Sequence, residues 1–214
     1  MNAPEMIGHV LGVAVQIDDH FLGRPVPDEL DVRLDTELAP TLIRGGTSRR
    51  HDDGTYRFLD IAEGTHVLRV TSTDARWMTL DPLPSVSVPV AQPTRALRVQ
   101  AWPTPLQTTP LGMTAVRGKL LGPPAATIAR DIAFDIGGAD SGFRSRTSSL
   151  GEFLFLLPGR LVLDKAGLVP LALRVTGATV TGGALVVGDQ RPTFAGAAFR
   201  VVPGRETRAR FQVT

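Results

Sequence analysis

Apolar and polar residues alternate with a period of two along most of this chain, the pattern of half-buried β-strands. Val13, Val15 and Ile17 share one face of a strand predicted over 9–17. Leu30, Val32 and Leu34 alternate with Asp31, Arg33 and Asp35. Tyr56 and Phe58 alternate with Thr55 and Arg57, and His66, Leu68 and Val70 with Thr65, Val67 and Arg69. Runs at 77–80, 86–90 and 96–102 complete a first set. A second set is predicted at 114–121, 127–136, 143–147, 152–157, 161–163, 171–175, 184–187, 198–202 and 209–213. A short helix within 127–136 is the alternative there, and no long stretch carries the helical period. Short strands at regular spacing predict an all-β sandwich or barrel.

Turn residues separate these runs. In Asp52-Asp53-Gly54 short polar side chains bond nearby backbone and Gly takes the positive φ. Glu63-Gly64 turns the chain again. Pro103, Pro105 and Pro110 fall close together, which predicts an extended, semi-rigid linker. The domain reading is a first β-sandwich over 1–103, a Pro-rich linker over 104–113 and a second β-sandwich over 114–214.

The second half echoes the first. Residues 49–64 read RRHDDGTYRFLDIAEG and residues 146–159 read RTSSLGEFLFLLPG. Gly54 matches Gly151, Tyr56 matches Phe153 and Phe58 matches Phe155. Such self-similarity is the mark of a module used twice. The stretch Asp53-Gly54-Thr55-Tyr56-Arg57-Phe58, with its following Gly64 turn and alternating strand, resembles the carboxypeptidase regulatory-like, or transthyretin-like, β-sandwich. Val116-Arg117-Gly118-Lys119-Leu120 is similar to the opening V-x-G-x-V strand of that family. The second copy lacks the acidic turn, having Ser149-Leu150-Gly151, and the first departs at Leu11-Gly12-Val13. The resemblance implies two tandem Ig-like antiparallel sandwiches. It also implies a non-catalytic role, since such modules accompany enzymes, adhesins and phage-tail-like assemblies as accessory domains.

Composition sharpens this picture in three places. With 43% hydrophobic and 21% charged residues the chain is globular. It has no cysteine, which excludes disulfides, thiolate metal sites and a Cys nucleophile. The net charge of +2 hides an asymmetry: residues 1–110 hold 10 basic and 14 acidic side chains, residues 111–214 hold 13 and 7. Opposite halves steer docking to a partner or to another copy. The N-terminus has no basic region ahead of an apolar run, so no signal peptide and no transmembrane helix are expected. A cytoplasmic location, or a particle assembled in the cytoplasm, follows.

Chemistry-bearing residues are sparse. Asp18-Asp19-His20 and His51-Asp52-Asp53 are the tight His/carboxylate clusters, and their spacing matches no metal-ligand motif. Residues 111–214 contain no His, there is no G-x-S-x-G elbow and no phosphate-binding Gly loop. No catalytic residue, cofactor or metal is therefore expected. Arg44, Arg49 and Arg50, Arg144 and Arg146, and Arg205, Arg208 and Arg210 read as solvent faces, without the exposed aromatics of a nucleic-acid surface. Trp77 and Trp102 lie near strand edges beside polar or Pro residues and are the candidate interaction anchors. The leading reading is a non-catalytic structural or adaptor protein with protein partners or self-association, binding neither nucleic acid nor membrane. The alternative is a carbohydrate-binding module with Trp77 or Trp102 as its stacking platform.

Overall fold

The computed structural model describes residues 11–36, 47–48, 50–79, 85–88, 96–157, 159–187 and 189–214. The chain divides into two compact units, Met1–Asp19 with Gly23–Ala101, and His20–Leu22 with Trp102–Thr214. The first unit contains β1 (Leu11–Asp19), β2 (Leu30–Thr36), β3 (Thr47–Ser48), β4 (Thr55–Leu59), β5 (Gly64–Ser72), β6 (Trp77–Met78) and β7 (Ser85–Val88), and ends in β8 (Leu97–Pro103). The second contains β9 (Thr114–Leu121), α1 (Pro124–Thr127), β10 (Asp131–Ile136), β11 (Ala139–Asp140), β12 (Ser145–Arg146) and β13 (Glu152–Leu157). It continues with β14 (Val169–Val175), β15 (Val180–Val186), β16 (Thr193–Ala195), β17 (Ala198–Val201) and β18 (Glu206–Val213).

The first unit is a pair of sheets, β4-β1-β8-β6 and β3-β2-β5-β7. The alternation read from the sequence is what fills the space between them. Val13, Val15 and Ile17 of β1, Val32 and Leu34 of β2, and Leu68 of β5 are buried in one cluster with Tyr56 and Phe58. The second unit repeats the plan with β13-β9-β18-β15-β16 and β11-β10-β14-β17, β12 pairing β10. Its core is aromatic. Phe134 of β10 meets Phe155 of β13 edge-on at 4.7 Å, and Phe211 of β18 meets Phe199 of β17 at 5.3 Å.

Both units are all-β and mostly antiparallel, but each contains one parallel pairing, between its first and last long strands. β1 runs parallel to β8, and β9 parallel to β18. In both, the hairpin strand lies antiparallel on the other side of the first strand: Tyr56 opposite Val15, and Phe153 opposite Gly118. The turns before these strands also agree. Gly54 donates to the His51 carbonyl and His51 to that of Thr55, as Gly151 does to Ser148 and Ser148 to Glu152. Gly54 and Gly151 both sit at positive φ, 79° and 72°. The module is therefore used twice in topology as well as in sequence.

The two copies treat the matched aromatic differently. Tyr56 is buried, and its hydroxyl accepts the Leu30 backbone N–H at 2.9 Å. Phe153 has no hydroxyl and lies flat on Gly118, where a Cβ would stand 2.1 Å from its ring. Glycine in the V-x-G-x-V strand is thus a vacancy that the ring fills.

Three expectations need correction. Residues 127–136 do not form one strand. Pro124 starts a single helical turn because its fixed φ suits the first helical position, and Ala129 at positive φ separates that turn from β10. Residues 161–163 pair with no strand among the described residues and lead into a turn closed by Asp164, whose carboxylate accepts from Ala166 and Leu168. The segment 104–113 is not a free linker. It belongs to the second unit, where Arg117 donates to the carbonyls of Pro105 and Gln107 while forming a bidentate pair with Glu206. Thr109 also donates to Glu206. The predicted boundaries therefore move: the units meet between Ala101 and Trp102, inside β8.

Three outcomes follow from this packing. Gly118→Ala is expected to lower unfolding free energy by about 2–4 kcal/mol, because Phe153 must leave its site. Tyr56→Phe orphans the Leu30 N–H and is expected to cost about 1–2 kcal/mol. Urea unfolding monitored by circular dichroism measures both. Glu206 is held down to about 2 from its ordinary value of 4.5, chiefly by the Arg117 guanidinium bonded to it. Its contribution is therefore complete above pH 4.5 and fades as pH falls toward 2. In Glu206→Gln, the stability difference from wild type, about 2 kcal/mol at pH 7, should shrink across that window.

Candidate functional site

Of the residues singled out in the sequence, His20, Trp102 and Arg144 are brought together, as a packing contact inside the second unit. Asp53 is spent on its own turn. Its carboxylate accepts from the Thr55 hydroxyl at 2.6 Å and the Thr55 N–H at 3.0 Å, and pairs with Arg57 at 2.6 Å. These bonds, the Thr55 hydroxyl first, hold it well below the usual carboxylate range. Asp18 accepts from Gln16 at 2.6 Å and faces Arg98 at 3.6 Å. Asp19 closes a loop, its carbonyl accepting from Gly23 and its N–H donating to Arg24. His20 belongs to the second unit, where its Nε2 accepts the Arg144 N–H at 3.1 Å. His66 is buried, with Nε2 donating to the Ala62 carbonyl at 2.8 Å. Among the described residues no group of three or more His, Asp or Glu gathers as a cation site.

Both tryptophans are inside. Trp77 is 7% exposed and donates from Nε1 to Asp28 at 2.5 Å. Trp102 is 8% exposed, donates to the Arg144 carbonyl at 2.7 Å and packs against the His20 ring at 4.9 Å. An indole N–H bonded inward fixes the ring with the protein around it. Neither ring offers the open face that sugar stacking or partner anchoring requires. The reading of Trp77 and Trp102 as exposed platforms is corrected accordingly.

The arginine groups divide. Arg44 and Arg49 lie outside the described residues; Arg50 donates to the Pro27 carbonyl. Arg144 pairs with Asp140 at 2.7 Å, and Arg146 faces Asp131 at 3.6 Å. Arg208 and Arg210 are exposed on β18, where the parallel register sets them beside Arg117 and Lys119 of β9. This cationic face floors an open depression of about 940 Å³ roofed on one side by residues 105–113. Arg117 and Lys119 are answered by Glu206 and Glu152 at 2.8 and 3.1 Å. Arg208 reaches Glu206 at 3.4 Å, and Arg210 has no ion-pair partner among the described residues.

A second surface adjoins the first at Gly112, Met113 and Gly204. It is a hollow of about 390 Å³, also within the second unit, lined mainly by Met113, Leu157, Leu161, Leu163 and Pro203. Loops that precede β9, follow β13 and precede β18 build it. Large apolar side chains stand exposed in these same loops: Leu111 fully, Val162 at 59% and Leu163 at 51%. Arg160 and Arg205 each follow or precede a lining residue, and Lys165 lies two beyond Leu163. None of the three has an ion-pair partner among the described residues. Six of the seven acids of residues 111–214 are paired, and Arg160, Lys165 and Arg205 are three of the six basic side chains there without an ion pair among the described residues. Sequence reasoning missed this surface. The sequence signal for it is the apolar run at 161–163, which also reads as a strand.

No protein-family model matches the chain, and no curated protein does. Solved structures with which it shares a coarse likeness include the Bacillus anthracis TIE protein, 12% identical over 95% of this chain and 34% of that one, with a TM-score of 0.33. The chain thus spans about a third of that protein. The major pilin from Streptococcus pyogenes is 10% identical over 97% of this chain and 99% of its own, with a TM-score of 0.26. The D295N mutant of the shaft pilin spaA from Lactobacillus rhamnosus GG is 8% identical over the same shares, with a TM-score of 0.33. At these scores the likeness is one of all-β build.

Proposed function

We propose that this chain is a non-catalytic structural or adaptor protein that acts by binding protein surfaces within a larger assembly. The observation that carries the reading is the loop end of the second unit, where Leu161 and exposed Leu163 line an apolar hollow, exposed Leu111 and Val162 are their chain neighbours, and Arg160, Lys165 and Arg205, within two residues of its lining, have no ion-pair partner among the described residues. Exposed apolar side chains beside an apolar hollow are a feature of protein-binding surfaces. Of the carboxylates and histidines singled out for chemistry, Asp53 is committed to its turn and an ion pair, and His66 to packing and a carbonyl. The resemblance to the carboxypeptidase regulatory-like module agrees, since such modules are accessory domains. Its family context supports a finer placement, a phage-tail-like or contractile injection device assembled in the cytoplasm.

Isolation of the tagged chain from its own cells, followed by size-exclusion chromatography and cross-linking mass spectrometry, tests this. A particle of defined stoichiometry, with cross-links from Lys165, is the expected result. Recovery solely as free chain, under conditions that keep large assemblies intact, would refute the reading. Tube, sheath or spike proteins in the particle would support the finer placement, and their replacement by unrelated partners would remove it.

A further inference from the structure

The first unit carries a surface that complements the hollow of the second. Leu11 of β1 and Leu59 of β4 are register partners at one end of their sheet, and both are exposed, at 40% and 47%. They are the exposed large apolar side chains of the first unit among its described residues. Asp60 follows at once in a left-handed turn, and Glu63 is exposed four residues after Leu59 without an ion-pair partner among the described residues. Leu11 and Leu59, with Glu63 close by in sequence, thus stand on the unit whose balance is −4, and an apolar hollow whose lining residues are followed in the chain by Arg160 and Arg205 stands on the unit whose balance is +6.

We propose that the hollow lined by Met113, Leu161 and Leu163 receives the Leu11–Leu59 corner of a second copy of this chain, with Glu63 of that copy meeting Arg160 and Arg205. The inference rests on the assembly reading above and names its partner. Apolar burial supplies the affinity of such a contact, and the opposite charges set its orientation and speed its formation. The two surfaces differ, so the contact is heterologous. Each copy that donates its Leu11–Leu59 corner keeps a vacant hollow, and the contact propagates into an open filament or a closed ring.

Sedimentation velocity on the full chain across protein concentration tests this, at roughly 20, 150 and 500 mM salt. Wild type should associate reversibly, less so as salt rises. Arg160→Glu with Arg205→Glu, and separately Glu63→Arg, should each weaken self-association by at least about tenfold. An equimolar mixture of these two proteins should regain it, because the reversed charges match again. Leu163→Ser, at an exposed loop position, should weaken association at every salt concentration without charge change. A wild-type chain that remains monomeric throughout overturns the proposal. Association that both charge variants retain also overturns it, while leaving the assembly reading standing. Rescue in the mixture separates a lost contact from a misfolded variant, and its absence with folded variants counts against the pairing.

Discussion

Each unit holds the strand that opens it parallel to the strand that closes it, and the other elements are placed by that pairing. β1 lies on β8 and β9 on β18, with residues such as Ala115 and Glu206 in register across about 90 positions of chain. A parallel ladder cannot be made by a hairpin, so the chain must leave the opening strand and cross back before the closing strand can pair with it. The intervening chain forms the facing sheet and the hairpin strand that covers the far edge of the opening strand. This explains why the aromatic pairs Tyr56/Phe58 and Phe153/Phe155 occupy the same place in both units. They seal the first strand against the core on the side the last strand does not reach. Closure entropy rises slowly with loop length, so such pairing is compatible with stability while making folding slow.

What the sequence disclosed was whatever a single strand or turn must satisfy by itself. Val13, Val15 and Ile17 alternate because one face is buried, and Gly54 and Gly151 are glycine because their turns need positive φ. Interactions that join distant positions left no such trace. Trp77 and Trp102 looked like edge residues because their neighbours in sequence are polar or proline. Their indole partners are Asp28 and the carbonyl of Arg144, more than 40 residues away. Gly182-Gly183 has the look of a turn, yet it lies inside β15. The ring of Phe194 from β16 and the carbonyl of Arg210 occupy the space that a Gly183 Cβ would need. The run at 161–163 is apolar enough for a strand but pairs with none among the described residues.

The candidate surface was hidden for a related reason. A list of arginines does not distinguish those that are neutralised from those that are not. Arg117, Arg144, Arg174 and Arg200 all find carboxylates once the strands are aligned. The group near the hollow is part of what remains after that matching, and the matching depends on register. The charge asymmetry between the halves was plain in the sequence; which cations stay unmatched was not.

The second unit is also not continuous in the chain. His20–Leu22 belong to it, with Phe21 against Phe155 at 5.1 Å and Phe143 at 5.8 Å, and His20 accepting from Arg144. A fragment beginning at Trp102 would therefore lack three residues of its own unit, the buried Phe21 among them, however cleanly it was cut. The module is repeated, but its second copy cannot be shuffled, swapped or expressed as one uninterrupted segment without leaving a hole that the rest of the chain once filled.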